Sequence, residues 1–126
     1  MKTVLAVILF ILPGMFADIS DNIAAAIRTG NAKEVSKYFA DNVDMKVLDQ
    51  ENIYSKAQAE LILKDFFTKH PVKAFTLAHK SAERNDSQFA IGTLTTANGT
   101  YRVHFLMKKS ASGMAIHQFR IEPSDD

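Results

Sequence analysis

Asn98-Gly99 separates two β-prone runs, "QFAIGTLTTA" and "TYRVHFLMKK". Such a dipeptide between strands is a strong short-range hairpin signal, because both residues tolerate positive φ. The spacing predicts a tight turn with Ala97 opposite Thr100, and strand alternation then sorts the side chains onto two faces. One face holds Leu94 opposite Val103, Gly92 opposite Phe105, Ala90 opposite Met107 and Thr96 beside Tyr101. It is apolar, is expected to lie under helices, and uses Gly92 to make room for the Phe105 ring. The other face holds Thr95 with Arg102, Thr93 with His104, Ile91 with Leu106, and Phe89 with Lys108. Pairing Lys109 with Met114 across "SASG" adds Phe119 beside His104 and His117 beside Leu106, a register that a bulge would flip.

Upstream, the helical period takes over. Ile19, Ile23 and Ile27 form one stripe, with Ala24, Ala25 and Ala26 allowing close approach and Gly30 as the stop. Asn31 with Glu34 starts a second short helix whose apolar side is Val35, Tyr38 and Phe39. Val43, Met45 and Val47 alternate with Asp44 and Lys46, as in a half-buried strand. Ser55 and Gln58 form a capping box opening the longest helix, which runs through Ala59, Ile62, Leu63 and Phe66 to about His70 before Pro71. "VKAFTLAHKSAERND" reads as a strand ending in an Asn85-Asp86 turn. The predicted order is α-α-β-α-β-β-β-β.

The first segment is expected to be a signal peptide, residues 1–17, leaving one domain over residues 18–126. Lys2 precedes an apolar run from Val4 to Leu12, then Pro13-Gly14, with Ala17 at the cleavage position. That run is shorter than the roughly 20 residues a bilayer span needs. The expected location is therefore periplasmic or secreted, without a stable membrane anchor. Loss of Lys2 leaves basic and acidic residues equal in number, which argues against nucleic acid as a partner. Zero Cys removes disulfides, thiol nucleophiles and Cys-zinc sites. Nine Phe and no Trp point to a Phe-anchored core.

This element order and the ending "HQFRIE" resemble the nuclear transport factor 2-like superfamily, and within it small secreted bacterial proteins of unknown role. The resemblance implies an α+β cone, three helices on a curved antiparallel sheet, with a pocket between them and dimerisation through the sheet. It also implies a cone-pocket enzyme, isomerase- or dehydratase-like, as the alternative to a non-catalytic binding module. Such enzymes move a proton with an Asp or His and a Tyr. Tyr38, Tyr54, Tyr101, Asp44, Asp49 and His79 are available by type, but none falls in a catalytic motif, so no catalytic residue is assigned.

The expected pocket residues are Tyr38, Phe66, His79, Tyr101 and Phe105. Phe89, Ile91, Arg102, His104, Leu106, His117 and Phe119 form the expected interface, since apolar anchors ringed by Arg and His suit protein contact. His70 reads as a favourable cation or cap at a helix end. His104 and His117 lack an acidic companion in sequence, so no metal is expected, nor any cofactor. The expected partners are a second copy of the chain, a small apolar ligand, or an envelope protein.

Overall fold

The computed structural model describes residues 18–124; the signal-peptide expectation lies outside them. Three helices, α1 (Ile19–Thr29), α2 (Ala32–Ser36) and α3 (Lys56–Lys69), cover one face of a six-stranded sheet. The strands are β1 (Phe39–Val47), β2 (Gln50–Ser55), β3 (Val72–Lys80), β4 (Ser87–Thr96), β5 (Gly99–Ser110) and β6 (Gly113–Pro123), in the order β2-β1-β6-β5-β4-β3. Among the described residues, no helix is long and apolar enough to cross a membrane.

The helix signals are realised in detail. Asp18 caps α1, Gly30 ends it at φ 68°, and Ile23 and Ile27 are buried. Asn31 caps α2 by accepting from the Lys33 and Glu34 amides, while Glu34 turns outward to Lys37 at 3.0 Å. The Ser55–Gln58 capping box on α3 is reciprocal.

The strand layout differs from the predicted arrangement in three respects. Phe39 opens β1 instead of closing a helix. β2 has no counterpart in the predicted order, because Gln50–Ser55 is an edge strand with hardly any buried residue and so carries no alternation. The sheet is mixed: β1 runs parallel to β6, bringing the first strand against the last.

The β4–β5 ladder is shifted by two residues. Leu94 pairs with Tyr101, Gly92 with Val103, Ala90 with Phe105 and Thr96 with Gly99. The turn is therefore Ala97-Asn98, closed by the Thr96 hydroxyl, which donates to the Gly99 carbonyl at 2.8 Å and accepts from the Asn98 amide at 3.3 Å. An even shift keeps every side chain on its predicted face but changes its partner. The ring beside Gly92 is thus Phe75 of β3, not Phe105. The turn with two consecutive positive φ values is Asn85-Asp86, at 53° and 61°, bracketed by paired Arg84 and Ser87.

Phe66, Phe75, Phe105 and Phe119 fill the space between helices and sheet, joined by Met45, Leu63, Leu94 and Met107. Both outer strands have backbone groups occupied by side chains. On β2, Asn52 Oδ1 accepts from the Ile53 amide at 2.8 Å and Gln58 Oε1 from the Ser55 amide at 3.0 Å. On β3, Arg28 Nε donates to the Phe75 carbonyl at 2.8 Å.

Candidate functional site: the outer sheet face and the mouth of the cone

Two clusters emerge from this framework. The first lies on the sheet face away from the helices. Register places Glu51, Lys46, Arg120, His104, Ile91 and His79 in one row across all six strands. At one end of the face the charges interlock. Lys46 Nζ meets Glu122 Oε2 at 3.1 Å, and Arg120 reaches Glu51 at 3.2 Å and Asp44 at 3.9 Å. The Lys46 hydrogen bond holds the Glu122 pKa below its ordinary value, against burial, with the Lys46, His104 and Arg120 charges assisting. At the other end Phe89, 40% exposed, neighbours half-buried Leu106 and Ile91, and Phe89 and Leu106 line a shallow pocket of about 340 Å³ that also touches Arg84. Between the two ends sits His104, its Nε2 3.9 Å from Glu122 Oε1, shielded from solvent and without a hydrogen bond. His117 Nε2 is in the same condition.

Of the seven expected interface residues, Phe89, Ile91, Arg102, His104 and Leu106 share this outer face. Phe119 does not. The β5–β6 register shifts after Met107–Ile116 with His117 as the extra residue, so Phe119 pairs with Phe105 and is fully buried. Its ring stacks on Phe105 at 6.3 Å and meets Phe39 edge-on at 5.8 Å. His117, at the bulge, lines a cleft of about 490 Å³ with Tyr38, Asp41 and Lys56, where β1 and β6 also lose register. Two residues expected at different sites thus come together.

The second cluster is at the mouth of the cone. Phe66 stacks on His70 at 4.5 Å and meets Tyr101 edge-on at 5.2 Å. The Tyr101 hydroxyl lies 3.1 Å from His70 Nδ1, and Asn98 Oδ1 lies 2.8 Å from the same nitrogen. Gly99, at φ 152°, makes room for that tyrosine: a Cβ there would sit 3.2 Å from the hydroxyl. His70 also lines a cleft of about 220 Å³.

The other expected pocket residues do not line an interior chamber. Phe66 and Phe105 are core, 3% and 1% exposed. His79 is exposed on the outer face, its ring 5.5 Å from Phe89. The shift between Leu77 and His79 in the β3–β4 ladder inserts Ala78 and turns His79 to the side opposite Phe75. His70 and Asn98 are the residues sequence reasoning missed. Their sole signal is that a helix-ending His-Pro and a hairpin tip both lie beside aromatic residues. Among the described residues, no group of His, Asp and Glu is arranged to hold a metal ion.

Three helices on the inner face of a curved six-stranded mixed sheet define an α+β cone of the nuclear transport factor 2-like, cystatin-like class. The model of the DUF4783 family, a domain of unknown function, matches residues 20–122, and the chain belongs to that family. It is similar to a DUF4783 family protein of Bacteroides uniformis, with 34% identity and TM-score 0.81 over 86% of this chain and 100% of that one. A Bacteroides fragilis member of the family is 32% identical, with TM-score 0.77 over 85% of this chain and 100% of that one. A Nostoc punctiforme domain of unknown function with a cystatin-like fold shares the fold alone, at 7% identity and TM-score 0.67 over 85% of this chain and 74% of that one. Comparison with curated proteins found no match.

Proposed function

We propose that the chain is an exported, non-catalytic interaction module that docks through its outer sheet face, with a second copy of itself as the partner. The observation that carries this reading is the apolar end of that face, Phe89 with Ile91 and Leu106, set beside an ordered charge network. An apolar centre with a charged rim is the anatomy of a protein contact. The blocked edges support a face over an edge, since Asn52, Gln58 and Arg28 occupy groups that an added strand would need. The shielded His104 Nε2, which makes no hydrogen bond, also favours docking, because an unmatched buried polar atom costs about 1–3 kcal/mol until a partner satisfies it. The apolar leader before Asp18 is the basis for export.

Light scattering on residues 18–126 tests the pairing. The wild type is expected at twice the chain mass and Phe89→Glu at the chain mass, because the variant buries a charge in the contact. A wild-type chain that stays monomeric at high concentration rules the homodimer out. Cell fractionation with N-terminal sequencing tests export: a product beginning near Asp18 outside the cytoplasm is expected, and an uncleaved cytoplasmic chain refutes it.

A further inference from the structure

We infer that the cleft beside His70 binds a small organic ammonium ion with a short apolar body. It lies between the C-terminal half of α3 and the β1–β2 turn, lined by Val47, Leu48, Asp49, Ile62, Phe66 and His70. The inference is independent of the outer-face reading, since none of these residues belongs to the Phe89 patch.

The neighbours of His70 decide what it offers. Asn98 Nδ2 donates to the Lys69 carbonyl at 3.0 Å, and a carbonyl can only accept, so the atom facing His70 is the amide oxygen. That oxygen is also acceptor-only, which places a proton on His70 Nδ1. In the neutral ring the lone pair is then on Nε2, which has no partner among the described residues. Stacking on Phe66 and the contact with Tyr101 hold the ring in this orientation. His70 thus lines the cleft with a ring whose remaining lone pair, on Nε2, is free to accept from a bound donor.

Asp49 supplies the charge. It is exposed in the β1–β2 turn and has no hydrogen bond or ion pair among the described residues. Asp65 and Lys69, which also border the cleft, neutralise each other at 3.1 Å. The lining therefore sums to one carboxylate and one imidazole acceptor over the apolar surface of Val47, Leu48, Ile62 and Phe66. An ammonium group answers both acceptors, donating to Nε2 and pairing with Asp49. A carboxylate ligand meets repulsion, and an alcohol matches the acceptor without the charge.

The lip carries a second mark. Leu48 is held at φ 57°, a left-handed conformation that a branched side chain rarely adopts. Its amide donates to the Ile121 carbonyl at 2.9 Å, which fixes it there. Strain of this kind gathers at ligand sites.

Titration of n-butylammonium into isotope-labelled protein at about pH 8, above the ordinary imidazole range, tests the inference by nuclear magnetic resonance. Saturable shifts are expected at Asp49, Ile62 and His70, with Kd on the order of 1 mM. n-Butanol and butyrate should bind at least about tenfold more weakly, and Asp49→Asn and His70→Gln should each weaken n-butylammonium about tenfold. Asp49→Asn changes an exposed turn residue and keeps the test readable if His70→Gln disturbs the end of α3. Equal binding of n-butanol, indifference to Asp49→Asn, or no saturable shift up to about 50 mM n-butylammonium overturns the inference.

Discussion

Lys46 of β1 and Glu122 of β6 meet at 3.1 Å across the parallel strand pair, each about one-third exposed. Because Glu122 is more acidic in the folded chain, it stabilises the fold above its unfolded pKa of about 4.5. That contribution falls away as pH drops through the lower folded value. The pair is partly solvated, so the effect is on the order of 0.5 kcal/mol. Urea midpoints should show wild type above Glu122→Gln at pH 7, with the gap closing as pH falls below about 4.5. A gap that persists at low pH contradicts the assignment.

Asp18 adds a second acid-sensitive point. Desolvation would raise its pKa, but the Ser20 hydroxyl, the Asp21 amide and Lys80 outweigh it and hold the carboxyl at about 2, down from 3.8. Its stabilisation is complete above 3.8 and is lost as pH falls through about 2. With the side chain 43% exposed, screening limits it to at most about 1 kcal/mol. Carbon-detected titration of Asp18 should give its midpoint near 2 in the wild type and a higher value in Ser20→Ala.

Gly92→Ala should be among the most damaging small substitutions in the sheet. The new Cβ would run into the Phe75 ring and stand 2.8 Å from the Thr76 carbonyl oxygen, and neither is a flexible side-chain end. Overpacking of this kind costs about 1–3 kcal/mol. Thermal denaturation should show the loss; an unchanged midpoint would mean that β3 moves aside freely.

The α3 cap can be dissected. Ser55→Ala removes the hydroxyl that accepts from the Gln58 amide at 3.2 Å, and Gln58→Ala frees the Ser55 amide. Each should lower stability by about 0.5–2 kcal/mol, and the double variant by less than the two single losses combined, since both belong to one box. Urea unfolding of the four proteins reads this directly.

Phe89→Glu and Phe119→Glu should part company. The first alters an exposed ring and should leave the fold intact, any fall in melting temperature being limited to the loss of association. The second places a carboxylate among Phe39 and Phe105 and should cost at least about 4 kcal/mol. Circular dichroism distinguishes the two.

Local signals carried most of the fold. The Ile23–Ile27 stripe, the Gly30 stop and the Ser55–Gln58 box depend on neighbouring residues only, and each is realised where the sequence predicts it. Strand faces were legible for the same reason, because alternation survives a two-residue slip in β4–β5. Single-residue bulges were not legible. The extra Ala78 and His117 change which side His79 and Phe119 occupy, and nothing in either segment announces the insertion. β2 was hidden because an exposed edge strand needs no apolar pattern. At the mouth of the cone, His70 caps α3 as the sequence predicts, but its side-chain partner Asn98 was not legible because it reaches it from a hairpin tip 28 residues away.

The parallel contact of β1 with β6 has a consequence for when this chain can acquire its shape. Strands β3 to β6 follow one another as a meander, and β1–β2 is a local hairpin, but β1 joins the rest of the sheet only through residues near the C-terminus. A nascent chain lacking Gly113–Pro123 has no mate for β1 and no lid for Met45 and Val47. Completion of the sheet therefore waits for the last segment to emerge, a long-range closure that slows folding. Until then the β1–β2 hairpin stands apart from the meander, and the two halves of the sheet are joined by a single strand pairing made last.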